Sequence, residues 1–211
     1  MKNTGILWDL DGTLLDTLQD LADATNYALR AHGCPQRTVA EVRQFVGNGA
    51  GRLIRLATGD YADPATVLAT FRPYYDAHCQ IKTRPYEGIL EALAVLGREY
   101  PMAIVSNKPD SAVKLLSEQY FGGIFARGED ADCPRKPAPD MVFQAMTAIG
   151  VENCIYVGDS EVDIATAINA GVPCLSVLWG FRDRDVLTAA GAEHFCETPA
   201  ALPAAIEILT R

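Results

Sequence analysis

Apolar residues recur along this chain at two spacings. From residue 16 to 31, Leu18, Leu21, Ala22, Thr25, Ala28 and Leu29 share one helical face, with Asp20, Asp23 and Arg30 between them. Gly33 closes that helix and Pro35 follows. Similar patterns predict helices over 39–45, 50–57 and 64–75 with no strand among them, so 15–84 reads as all-helical. Elsewhere short apolar runs appear. The first covers 5–8. After Arg84-Pro85-Tyr86-Glu87-Gly88, helices predicted over 89–98, 111–120, 140–149 and 161–170 each lead into an apolar run, at 102–105, 123–126, 154–157 and 172–178. Strands alternating with helices at this interval predict right-handed βαβ units and a parallel sheet buried on both faces. The fold class is α/β, with a helical insertion between the first strand and the rest.

Composition narrows the function classes. The chain has 211 residues, 49% hydrophobic and 21% charged, enough for one core or a core with a modest second lobe. A net charge of −9 argues against nucleic acid and anionic membranes as partners, and no apolar stretch reaches membrane-spanning length. Any phosphate must therefore be held by local donors and metal. Cys34, Cys79, Cys133, Cys154, Cys174 and Cys196 form no Cys-x-x-Cys pair, so zinc is not suggested. With no signal-like segment, reduced thiols and a cytoplasmic location are expected. His32, His78 and His194 stand alone and read as surface or packing residues.

Ligands of parallel sheets bind beyond the carboxyl ends of the strands. Polar clusters fall at those positions. Asp9 and Asp11 flank Leu10 where Ile6-Leu7-Trp8 gives way to Gly12-Thr13. Residues two apart in an extended segment project to one side, so the two carboxylates can converge on a cation, and hard Mg²⁺ prefers such oxygens. Ser106-Asn107-Lys108 follows Val105, Gly158-Asp159-Ser160 follows Val157, and Arg135-Lys136-Pro137 precedes the 140–149 helix. A phosphate monoester would use these groups well. Asp9 is the candidate nucleophile and Asp11 the candidate acid and base. Ser106, its neighbouring amides and Asn107 are neutral donors, and Lys136 is the cation. Asp159 is a further metal ligand. Asp163, one helical turn on, could fix Asp159 or Lys136. Taken singly, each cluster also reads as a turn or a helix cap.

Asp9-Leu10-Asp11-Gly12-Thr13, Ser106-Asn107, Lys136-Pro137 and Gly158-Asp159 through Asp163 resemble the four ordered motifs of the haloacid dehalogenase superfamily. The resemblance implies a Rossmann-like core with strand order 5-4-1-2-3, built from 1–14 and 85–211, and a helical cap over 15–84 with hinges near 14–16 and 83–86. It also implies Mg²⁺ held by Asp9, the main-chain carbonyl of Asp11, and Asp159, with Thr13 joining Ser106, Asn107 and Lys136 around the substrate. Asp11 argues against true dehalogenases, which lack the second aspartate. The absence of lysine between Leu15 and Tyr75 argues against phosphonate cleavage.

The cap loop Gly47-Asn48-Gly49, with Arg52, resembles that of phosphoglycolate phosphatases, since glycines admit an anion to backbone amides and Arg52 could reach a carboxylate. The expected activity is Mg²⁺-dependent hydrolysis of a small phosphorylated metabolite, phosphoglycolate foremost, through an aspartyl-phosphate. Pyrophosphatase, sugar-phosphate phosphatase and β-phosphoglucomutase-like phosphomutase are the alternatives, and the chain is expected to be a monomer or homodimer. A receiver-like module that holds phosphate without turnover is disfavoured, because the candidate nucleophile lies on the first strand.

Overall fold

The computed structural model describes residues 3–210. Strand β1 (Thr4–Trp8) leads to the two-residue β2 (Leu15–Asp16). Four helices follow, α1 (Leu18–Ala31), α2 (Val39–Phe45), α3 (Gly49–Thr58) and α4 (Pro64–His78), and then β3 (Arg84–Pro85). The remainder alternates as α5 (Ile89–Leu96), β4 (Met102–Pro109), α6 (Asp110–Phe121), β5 (Phe125–Glu129), α7 (Asp140–Ile149), β6 (Asn153–Gly158), α8 (Glu161–Ala170) and β7 (Cys174–Val177). After α9 (Arg184–Ala189), β8 (His194–Cys196) and a short 3₁₀ turn, α10 (Leu202–Leu209) ends the described chain.

The sheet runs β5-β4-β1-β6-β7-β8, with every pair parallel. Counted along the core strands, β7-β6-β1-β4-β5 is the expected 5-4-1-2-3 order, and β8 adds a sixth strand at one edge. β1 lies in the middle because it is apolar on both faces. Ile6 and Trp8 join one apolar cluster with Ile89 and Leu93 of α5, Leu116 of α6 and Ile206 of α10. Leu7 joins the opposite cluster with Met141 and Val142 of α7 and Ala167 of α8. Each large side chain so buried contributes about 1.5–3 kcal/mol.

Helices α1–α4 close a third cluster of their own, including Leu21, Ala28, Leu53, Ile54, Val67 and Phe71. Local capping sets their ends. Thr38 and Glu41 form a reciprocal box at α2, with Thr38 N–H donating to Glu41 Oε2 (2.7 Å) and Glu41 N–H to Thr38 Oγ1 (3.2 Å). Asp63 accepts the Ala65 and Thr66 amides at the start of α4. The chain enters and leaves this helical cluster through the antiparallel β2–β3 pair, Leu15 opposite Pro85 and Asp16 opposite Arg84. The buried carboxylate of Asp20 accepts the Lys82 amide (2.9 and 3.0 Å) and the Thr83 amide (2.9 Å), tying α1 to the returning segment.

Several elements differ from the sequence expectation, among them β4, β5, β8 and the short β2 and β3 at the ends of the stretch read as all-helical. β4 does not stop at Val105 but continues to Pro109, because Ser106, Asn107 and Lys108 are buried polar residues that hydropathy assigns to a loop. β5 begins two residues later than expected, since Gly122 and Gly123 take positive φ to end α6. Within β5, Gly128 lets the strand press on the backbone of Asp110 and Lys108, where a Cβ would collide. β8 is three residues long and too short for alternation to reveal.

Candidate active site

The carboxyl ends of β1, β4 and β6 meet under the helical cluster. Asp9 prolongs β1, its amide donating to Val157 O of β6 (2.8 Å). The chain then turns tightly, with the amides of Thr13, Leu14 and Leu15 all directed at Leu10 O (3.0–3.3 Å). Gly12 makes the turn possible at φ +86, and a Cβ there would land on the Asp159 carboxylate. Thr13 Oγ1 donates to Asp159 Oδ1 (3.4 Å), and Trp179 Nε1 donates to Thr13 O (3.0 Å).

Lys136 reaches in from the loop before α7, next to a cis Lys136–Pro137 bond. Its Nζ lies 2.9 Å from Asp9 Oδ1, 2.7 Å from Asp163 Oδ1 and 2.9 Å from the Tyr156 hydroxyl. Tyr156 in turn donates to Val105 O (3.1 Å). The other Asp163 oxygen accepts the Ser160 amide (3.1 Å) and hydroxyl (2.6 Å). Asp163 thus holds Lys136 and the turn after β6. Gly158 is required beside it, because a Cβ there would strike the Asp163 carboxylate. Asp159 Oδ2 accepts the Phe181 amide (2.6 Å), and Gly180 lies so close to Asp159 that no side chain fits between.

Electrostatics set this cluster apart. Burial, reinforced by the Asp163 charge, pushes Asp9 up to about 7, even though Lys136 pulls the other way. Burial followed by the Asp163 and Asp9 charges raises Asp159 well above the carboxylate range, against the opposing Phe181 amide. Lys136 is held well above its usual value: burial would lower it, but Asp163 and Asp9 outweigh that. Asp9, Asp159 and Asp163 bring ligand oxygens within 4.8 Å of one another. Three buried carboxylates around one lysine leave negative charge in excess, and an all-oxygen donor set of this kind suits a hard divalent cation.

A cavity of about 50 Å³ opens above Asp9, Asp11 and Asp159. Ser106, Asn107 and Lys108 of β4 line one side, and Gly47, Gly49, Leu21, Leu53, Phe71 and Tyr75 of the helical cluster form the roof. Asn107 Nδ2 donates to Lys136 O (3.0 Å) and Gly47 O (3.3 Å), while its Oδ1 is buried with no partner. Arg182, after β7, donates to Arg43 O (2.9 Å) and Val46 O (2.7 Å), and Arg43 answers on Gly180 O (3.2 Å). Core and roof are thereby latched together.

The structure brings together Asp9, Asp11, Ser106, Asn107, Asp159 and the glycines 47 and 49 around the cavity. Thr13, Lys136 and Asp163 stand behind them, fully buried, and orient them. Two cap residues fall elsewhere. Asn48 immediately precedes α3 and does not line the cavity. Arg52 lies on the exposed face of α3, opposite the buried Leu53, Ile54 and Ala57, and does not line the cavity. Positive charge comes instead from Lys108 and Arg182, to which the sequence reading gave no site role. Tyr156 was missed as well. Its signal was a tyrosine within an otherwise apolar buried strand, where the hydroxyl must find a partner.

Residues 6–177 match the model of the haloacid dehalogenase-like hydrolases. The chain belongs to that family. A phosphoglycolate phosphatase of Mesorhizobium japonicum is 35% identical over 200 residues, 88% of this chain and 87% of its own length. One of Rhodobacter capsulatus is 34% identical, covering 96% of both chains. Among solved structures, a candidate phosphoglycolate phosphatase from Lactobacillus delbrueckii subsp. bulgaricus superposes with a TM-score of 0.91 at 36% identity, covering 100% of both chains. This family member is a hydrolase of the phosphatase type. Among the described residues no helix is long and apolar enough to cross a membrane.

Proposed function

We propose that the chain is a Mg²⁺-dependent phosphatase of phosphoglycolate that works through an aspartyl-phosphate on Asp9. The observation that carries this reading is the convergence of Asp9, Asp11 and Asp159 beneath one cavity, with Lys136 locked against Asp9. The relatives named above support the choice of substrate. Asp9, the carbonyl of Asp11, and Asp159 would hold the cation. When bound, it would neutralise carboxylate and phosphate charge so that one anion can approach the other.

The protein groups divide the remaining work. Lys136 fixes Oδ1 of Asp9 and leaves the carboxylate turned to the cavity. A carboxylate oxygen of Asp9 attacks phosphorus, and the bond from phosphorus to the ester oxygen breaks. Asp11 gives its proton to that oxygen as the alcohol leaves. Asp11 then takes a proton from water, whose oxygen attacks phosphorus and releases inorganic phosphate with Asp9 regenerated. Ser106, Asn107 and nearby amides of β4 face the phosphoryl oxygens. The helical roof, residues 15–84 in this reading, excludes bulk water while the intermediate lasts. Six free cysteines accord with a cytoplasmic setting.

The test is phosphate release from phosphoglycolate and from an aryl phosphate, with and without chelator, beside Asp9→Asn. Metal-dependent release and a loss of at least about 10⁴-fold in the variant are expected. Undiminished turnover by Asp9→Asn rejects the nucleophile.

A further inference from the structure

Two lysines are buried beside the Asp9–Asp11 turn, and only one is accounted for. Lys136 has oxygen partners on three sides. Lys108 has a carboxylate on one side alone, with Asp11 Oδ1 at 2.7 Å and Oδ2 at 3.0 Å. Its Nζ stands 4.8 Å from the centre of the Tyr75 ring, which α4 lowers from the roof. An ammonium carries three donor hydrogens, and this one borders the cavity. Tyr75 is 2% exposed, and its hydroxyl lies against Lys108 without reaching full hydrogen-bond geometry to it or to any other group. Phe71, Leu21 and Leu53 complete an apolar wall around the pair. A buried cation and a poorly partnered hydroxyl at the end of an apolar slot are the fittings of a receptor for a small anion.

Position identifies that anion. Asp11 is the group assigned to the leaving oxygen, and Lys108 touches Asp11. A second anionic group reaches Lys108 only if it sits a bond or two from that oxygen. In phosphoglycolate the carboxylate is one methylene away.

We propose that Lys108 and Tyr75 receive the carboxylate of the leaving alcohol and so set the preference for phosphate esters bearing an acid one carbon from the ester oxygen. The inference rests on the phosphoglycolate reading and assigns its specificity to the core strand β4 and to α4, instead of to Arg52. The tyrosine hydroxyl gains a well-aligned acceptor when the carboxylate arrives. The ammonium bridges that carboxylate and Asp11, which fixes the ester oxygen beside Asp11.

The measurement is kcat/KM for phosphoglycolate against ethyl phosphate, an ester of the same carbon skeleton without the acid, both with Mg²⁺. Wild type is expected to favour phosphoglycolate by more than about 100-fold. Lys108→Met should cut that ratio by about 50-fold or more, whatever it does to the absolute rates. Lys108→Arg should restore part of it. Tyr75→Phe should cut it by about 5-fold, chiefly through KM for phosphoglycolate. A Lys108→Met variant that loses activity equally on both esters overturns the inference, as does one that keeps the wild-type ratio. Should Lys108→Met fail to fold, Tyr75→Phe decides by the same ratio. Wild type without any preference for phosphoglycolate overturns the substrate reading itself. Wild type with the preference, kept intact in the variants, overturns this inference alone.

Discussion

The floor of the cleft and its roof are built on opposite plans. On the floor, Asp9, Lys136, Tyr156, Asp163 and Ser160 form a network of hydrogen bonds between 2.6 and 3.1 Å branching from Lys136, and glycines 12, 158 and 180 leave no room for adjustment. The roof offers leucines, two aromatic rings and the backbone of a glycine loop, fastened by the Arg182, Arg43 and Asn107 contacts. Charge is concentrated below and shape above. A site divided this way can keep one reaction fixed while the groups that face the leaving alcohol vary.

Lys136→Met tests the floor most severely. It leaves the buried carboxylates of Asp9 and Asp163 without their cation and strips Tyr156 of a partner. Loss of about 3–5 kcal/mol is expected in urea denaturation without metal at pH 8. A roof residue of similar burial but apolar surroundings should show no such dependence on charge.

Metal and pH sharpen the contrast next. Asp9 rises from 3.8 unfolded to about 7 folded, so folding favours its protonated form. The stability this lends is complete below 3.8 and is lost as pH climbs through about 7. Excess Mg²⁺ replaces the proton, and it should raise the thermal midpoint more at pH 8 than at pH 5.5. At a hundred times its dissociation constant the gain is about 2.7 kcal/mol. An equal gain at both pH values would contradict the electrostatic account of the floor.

The smallest effect belongs to the outer side of the roof. Arg52→Ala should change kcat/KM for phosphoglycolate by less than about 2-fold and stability by less than about 0.5 kcal/mol, since the side chain faces solvent.

The floor was legible in the sequence because parallel strands deliver their polar residues at fixed places. Each of the four clusters follows an apolar run or precedes a helix, and topology does the gathering. The roof was less so. Periodicity places Arg52 outward, with Leu53, Ile54 and Ala57 defining the buried face, whereas its place beside a glycine loop suggests an anion. Lys108 was in plain view between Asn107 and Pro109. Its partner Asp11 is 97 residues away and its ring neighbour Tyr75 is on another element, a pairing that no local pattern encodes. β8 escaped because three residues at a sheet edge carry no period.

Phe181 has a foot in each region. Its amide donates to Asp159, while its ring is buried in the apolar cluster of α1–α4. Any opening of the cleft must therefore either draw that ring out into water or pull on the peptide that steadies Asp159. The residue ties the two regions together physically, so any displacement of the roof would be felt at the acidic centre.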